Sequence, residues 1–206
     1  YTVVGNLYVD TDKTWTIEPG CTLRFTEVPF LKVLGTLVAD GDSLHQIVFT
    51  SAQGSPSSGD WDRIVFDGST VNSLMDWCIV EYATVGIEVK NHQAPPFTEP
   101  MKVSNCTIRY CSEVGIRLDK SSPVVEGNTI LGNGEMDGIA VYSNTGVEPT
   151  IRGNEIKQCD RGIYMCTEGD SEGPRGVITQ NRIYNNIRYG IHLQAYWGHW
   201  PIPQPV

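Results

Sequence analysis

The stretch Asn154-Glu155-Ile156-Lys157-Gln158-Cys159-Asp160-Arg161-Gly162-Ile163-Tyr164-Met165 carries the pattern on which the fold turns. It opens on a triplet of Asn, any residue and a β-branched aliphatic, with a small or polar residue three positions later. A Gly-Ile pair then follows, and two residues past the Ile stands another apolar side chain. The triplet recurs as Cys78-Ile79-Val80, Cys106-Thr107-Ile108, Asn128-Thr129-Ile130 and Asn181-Arg182-Ile183. The second column reads Ala83, Cys111, Asn133, Cys159 and Asn186. The pair reads Gly86-Ile87, Gly115-Ile116, Gly138-Ile139, Gly162-Ile163 and Gly190-Ile191. Val89, Leu118, Val141, Met165 and Leu193 follow the pairs, and Met75, Val103, Val125, Ile151 and Ile178 precede the triplets.

Successive triplets start 28, 22, 26 and 27 residues apart. Within each copy apolar and polar residues alternate over a few positions, which is the period of a strand and not of a helix. A unit of two or three short strands cannot bury its apolar face alone, so it must stack on its neighbours. Fixed strand columns with variable spacing between them are what a coiled solenoid tolerates, because insertions leave sideways through the loops.

These columns resemble the right-handed parallel β-helix repeat shared by pectate-lyase-like enzymes, periplasmic copper-binding proteins and many surface proteins. The resemblance implies an all-β, single-stranded right-handed parallel β-helix of about eight coils. The whole chain, 1–206, is expected to be one β-helix domain. Residues 74–195 hold the five regular copies. Residues 1–73 lack the Asn and Gly-Ile columns but resemble the start of surface-associated β-helices through Leu7-Tyr8-Val9, Trp15-Thr16-Ile17, Leu31-Lys32-Val33, Ile47-Val48-Phe49 and Trp61-Asp62-Arg63-Ile64-Val65-Phe66. At about 4.8 Å per coil the rod is expected to be some 40 Å long.

The composition narrows the function. Fifteen Lys and Arg against 24 Asp and Glu give a net charge of -9, which opposes binding to nucleic acid or anionic lipid. No apolar run approaches the roughly 18 residues of a membrane helix. Gly (21) and Pro (12) are frequent without collagen's strict period, consistent with many short strands and turns. The chain opens at Tyr1 without Met, and either a leader already removed or a sequence trimmed at its start is the expectation. The expected location is secreted, extracellular or at the cell surface.

Six cysteines are too few for a disulfide scaffold and lack the paired spacing of a zinc site. Cys111 and Cys159 lie two coils apart, beyond disulfide reach, whereas Cys78 and Cys106 occupy adjacent coils and are either a buried thiol ladder or a pair. Asn133 and Asn186 read as turn residues that bond the neighbouring coil and tolerate left-handed dihedrals. Gly138 reads as fixed by its turn, through dihedrals or crowding.

Outward positions compare across coils. Glu81 beside Arg109, Glu88 beside Arg117 and Glu126 beside Arg152 read as charge ladders. No outward column places carboxylates side by side, as a glycosidase would require, so no catalytic residue is assigned. Asp119 and Lys120 beside Arg117 form the nearest lyase-like group. The acidic loop Glu168-Gly169-Asp170-Ser171-Glu172 lacks EF-hand spacing, and His192 with His199 makes an incomplete metal set. No metal and no cofactor is expected. Tyr164, Tyr184 and Tyr189 are candidates for sugar stacking, which would make a polysaccharide a partner and the chain a carbohydrate-binding module or degenerate lyase.

The ends carry more information. Tyr1 and Val3 enter a strand at once with no helical cap. Tyr196-Trp197-Gly198-His199-Trp200-Pro201-Ile202-Pro203-Gln204-Pro205-Val206 is an aromatic, proline-rich tail without charge. Bare coil ends and unpaired strand edges template association. Tyr1, Val3, Tyr196, Trp197, Trp200, Pro201, Ile202 and Pro203 are therefore the expected assembly residues, and copies of the chain itself the expected partner in a filament or surface layer.

Overall fold

The structure is a computed structural model that describes residues 1–68, 72–91, 100–143, 147–168 and 175–196, with backbone alone for Glu168 and Tyr196. Short strands of the described residues form three parallel sheets. Sheet A has eight strands, from Thr2–Val3 to Arg182–Tyr184. Sheet B also has eight, from Leu7–Val9 to Tyr189–Tyr196. Sheet C has seven, from Thr14–Ile17 to Val177–Thr179. Each coil gives one strand to A, then B, then C, so the chain winds as a parallel β-solenoid of about eight coils. No described helix is long and apolar enough to cross a membrane.

The apolar columns point inward because alternate residues of a strand face opposite sides. In sheet B, register partners connect Leu7 through Leu31 and Ile64 to Ile163 and Ile191 without a slip. A parallel column runs from Val9 to Leu193, and one in sheet C from Ile17 to Ile178. The first three coils, without repeat markers, join the same columns with aromatic residues. Phe49 pairs with Val80, and the Phe25 and Trp61 rings stack at 4.3 Å and 8°. Trp61 bridges to Ala83 and donates its indole N–H to the Glu81 carbonyl at 2.9 Å. Burying each large aliphatic or aromatic side chain contributes roughly 1.5–3 kcal/mol, and the stack supplies that burial coil by coil.

Sheets C and A meet at a sharp corner with a left-handed residue: Trp77, Asn105, Gly127, Gly153 and Gln180 have φ between 49° and 65°. The next residue begins the triplet column and holds the corner together. Asn154 Oδ1 accepts from the backbone N–H and the side-chain amide of Asn128, at 2.9 and 3.0 Å, and Asn181 Oδ1 receives the same pair from Asn154. The Asn154 amide also donates to the Val125 carbonyl at 3.0 Å. Buried backbone groups at the corner are thereby satisfied across coils. In earlier coils sulfur takes the same place, with Cys78 N–H pointing at Cys106 Sγ at 3.4 Å.

Two sequence expectations change here. Asn133 and Asn186 do bond the neighbouring coil, through Cys111 O at 3.3 Å and Cys159 N–H at 3.0 Å. The left-handed dihedral falls instead on the residue before that column, at Tyr82, Tyr110, Gln158 and Asn185. Gly138 is required by crowding, since a Cβ there would lie 2.5 Å from Gly162 O and 2.6 Å from Ile156 Cγ2, while its φ is outside the left-handed range.

Candidate functional site

The outer faces carry the charge ladders in the expected register. Arg109 Nε donates to Glu81 at 2.7 Å, and Arg152 Nε to Glu126 at 2.6 Å. Lys102 also binds Glu126, and hydrogen bonds from Lys102 and Arg152 hold that carboxyl below the usual range. Glu88 differs: its closer partner is Arg63 at 3.0 Å, with Arg117 at 4.0 Å and itself bound to Glu113 at 3.2 Å. Arg117 is thus engaged by two glutamates, and Lys120 sits at a left-handed turn.

One expectation is overturned in the first coils. Asp40 and Asp76 are register partners on the outer edge of sheet C, so carboxylates do stand side by side. The missing Asn and Gly-Ile markers in residues 1–73 hid this alignment. Asp76 accepts from Ser104 Oγ at 2.8 Å and Asn105 Nδ2 at 2.9 Å, which ties it to the corner. Among the described residues no group of three or more His, Cys, Asp or Glu is placed to hold a metal ion.

The three tyrosines do not form one platform. Tyr164 is 5% exposed, beneath the Arg161 guanidinium at 3.6 Å and with its hydroxyl 3.0 Å from Gln194 Oε1. Tyr189 stands on the same sheet, its ring 4.6 Å from His192. Tyr184 lies on sheet A and donates to Glu155 at 2.5 Å. Val85, Val114, Ala140 and Cys166 join Tyr164 in a second buried cluster on the outer face of sheet B, so the stripe that would meet a sugar is largely covered.

All six cysteines are free. A hydrogen bond to Cys106 and burial push the Cys78 thiol up, and burial raises Cys111 and Cys159 to about 12. Thiolates are the reactive form, so Cys78, Cys111 and Cys159 are held as thiols where they pack in the core.

The two ends differ from everything between them. At the last coil the inward columns are uncovered: Ile191 is 47% and Leu193 59% exposed, against 0% and 2% for Ile163 and Met165 one coil earlier. Ile187 and Val177 are also exposed there, and among the described residues the strand Tyr189–Tyr196 has a partner along only one edge. At the first coil the core opens into a recess of about 680 Å³ lined by Leu7, Trp15, Ile17 and Leu23 with Tyr1 at its side. Tyr1 is exposed, and its ammonium donates to Thr22 O at 2.8 Å; Val3 is buried in the recess wall. Trp197, Trp200, Pro201, Ile202 and Pro203, the Tyr196 side chain, His199 and residues 169–172 with the Glu168 side chain lie outside the described residues.

The family described as right handed beta helix region matches residues 53–196. The chain belongs to the right-handed β-helix family. No curated protein and no solved structure gives a significant match. The β-helix match begins within the marker-poor region, and the sheets continue back beyond it to Thr2. Gly190-Ile191 and Leu193 keep the inward pattern in the last described coil, a signal already carried by the sequence.

Proposed function

We propose that this β-helix is a non-enzymatic structural subunit, exported to the extracellular space or cell surface, whose rods associate through their ends into a filament or layer. The observation that carries this reading is the last described coil, where residues of the buried columns stand at 47% and 59% exposure beside an eight-residue strand edge with no partner among the described residues. Exposed apolar surface next to an open edge is the usual template for strand addition. The lateral faces offer less, since the Glu81–Arg109 and Glu126–Arg152 ladders are paired within the rod and Val85, Val114, Ala140, Tyr164 and Cys166 of sheet B form a buried cluster. The resemblance to surface-associated β-helices supports export.

Electron microscopy and sedimentation of the purified full chain over a range of concentrations test it. Rods longer than one molecule, growing with concentration, are expected. Dispersed monomers at every concentration would overturn it. A second arm uses oligosaccharide titration: saturable binding lost on Tyr189→Ala, with no assembly, would favour a carbohydrate-binding module.

A further inference from the structure

We infer that Cys78 and Cys106 are an oxidisable pair: a disulfide oxidant meeting the folding chain joins their sulfurs and staples two neighbouring coils where sulfur stands in place of the corner asparagine. The inference goes beyond the assembly reading and does not depend on it. Three observations carry it.

The first is placement. Ile79 and Thr107 are register partners, so the residues just before them, Cys78 and Cys106, stand one coil apart in one column, both buried. Neighbouring parallel strands are about 4.8 Å apart, inside the roughly 4.4–6.8 Å that a disulfide allows between Cα atoms. Equivalent Cβ atoms keep a similar spacing, a little wider than a relaxed disulfide prefers. Closing the bond therefore takes a small shift and leaves it easier to reduce than an unstrained one. Cys106 lies at the corner, outside the strand Thr107–Arg109, where such a shift spares the ladder.

The second is where the sulfurs lean. Cys106 Sγ is 3.4 Å from the Cys78 backbone nitrogen and 3.5 Å from the Met75 carbonyl, so it reaches back to the coil of Cys78. Cys78 Sγ reaches back in turn, to the Ala39 carbonyl at 3.5 Å. Turning Cys78 about its Cα–Cβ bond brings its sulfur toward that of Cys106. The contacts given up are weak, being thiols against the Ala39, Asp76, Met75 and Ser104 carbonyls. Later coils fill this column with the amides of Asn128, Asn154 and Asn181, which bond the preceding coil. A covalent link ties the sulfur coils in the same place.

The third is that no other pairing competes. Cys21 and Cys78 share the column but have Ile47 between them, and Asn133 stands between Cys111 and Cys159. Each gap is two coils, roughly 9.6 Å, past the reach of a bridge. The corner that holds Cys111 and Cys159 is at the other end of the sheet A strands from Cys78 and Cys106. Cys166 packs in the cluster on the outer face of sheet B.

The chemistry is exchange. A cysteine thiolate of the opened chain attacks the oxidant's disulfide, giving a mixed disulfide and one released thiol. The second cysteine thiolate then displaces the other half, so two protein thiols lose two hydrogens and the oxidant leaves as two thiols. Once the coils have stacked, the hydrogen bond to Cys106 and burial hold Cys78 as a thiol, and both sulfurs are closed to the oxidant. Closure therefore belongs to folding.

The test takes the full chain, reduced and unfolded in urea, refolds it with oxidised glutathione, then unfolds it again for alkylation. Two of the six thiols are expected to be lost, with Cys78 and Cys106 in one linked peptide pair by mass spectrometry and all six restored by dithiothreitol. The folded, reduced chain given the same oxidant is expected to bridge roughly tenfold or more slowly. Cys106→Ser, refolded the same way, is expected to keep every remaining thiol. If that variant does not fold, the peptide map of the unsubstituted chain decides alone. Six alkylated thiols after oxidative refolding, or a map dominated by any other pair, would overturn the inference. Equal rates in the folded and refolding chains would overturn the folding-time route. The bridge in monomers or in filaments supports it alike, so its outcome stays separate from that of assembly.

Discussion

Gly162-Ile163-Tyr164-Met165 and Gly190-Ile191-His192-Leu193 occupy the same columns one coil apart and live in different surroundings. A Cβ on Gly162 would meet the Gly190 carbonyl at 2.5 Å and Ile183 Cγ2 at 2.6 Å, whereas one on Gly190 would meet nothing nearer than 3.7 Å. Ile163 and Met165 are buried, and Ile191 and Leu193 are not. Glycine and isoleucine at these positions answer to the coil that follows: the first keeps clear of its backbone, the second fills the layer beneath it. The last coil keeps both residues with no described coil following it. Its sequence suits a covered layer, which is why the assembly reading places a neighbour there.

The asparagine corner gives the largest test of that contrast. Asn154→Ala removes acceptors from two donors of Asn128 and a donor from the Val125 carbonyl, all buried. At roughly 1–3 kcal/mol for each buried group left unpaired, a loss of about 3–5 kcal/mol is expected in urea unfolding. Asn181→Ala cuts similar bonds at the half-buried last coil, where water can replace them, and about 1 kcal/mol is expected. Equal losses would mean that the two coils are equally closed to solvent.

The glycines should differ in sign. Gly162→Ala forces a Cβ against backbone and should cost roughly 3 kcal/mol, at the upper end of overpacking. Gly190→Ala meets open space without left-handed strain, so the unassembled chain should gain up to about 0.5–1 kcal/mol from a stiffer unfolded state. Thermal melts of dilute protein check both. A destabilised Gly190→Ala monomer would show that the last coil is already covered within one chain.

The sequence made the five regular coils legible because each inward column repeats the same residue class, and strand period with Gly-Ile markers leaves one register open. Asp40 beside Asp76 was not legible. Its coil is aligned by Leu37 and Ala39 packing under Trp15 and Ile17, and such apolar pairs carry no marker that fixes register from sequence. The burial of Tyr164 escaped for another reason: an outward position says which face a side chain leaves from, and not that Arg161 folds over it and Val114 and Ala140 sit beside it. Thiols standing in for amides at Cys78 and Cys106 were readable as a column, while their hydrogen bonding had to come from geometry.

The smallest expected effect separates an interior ion pair from a terminal one. Asp160 is held below the usual carboxylate range chiefly by hydrogen bonding to Arg188, an exposed residue of the last coil. Glu126 is held down by Lys102 first and Arg152 second, one from each adjoining coil. A carboxyl whose folded pKa is depressed adds stability above its unfolded pKa and loses it as pH falls through the folded value. Both groups therefore support the fold at neutral pH and stop doing so in acid. Arg188→Gln removes the leading partner of Asp160, so its titration, followed by carboxyl NMR, should rise toward the ordinary range. Arg152→Gln leaves Lys102 in place and should move Glu126 less. If the Asp160 titration instead stays depressed in the Arg188→Gln monomer and rises only when assembly is prevented, the holding charge comes from a neighbouring copy, and the last coil is covered by more than its own chain.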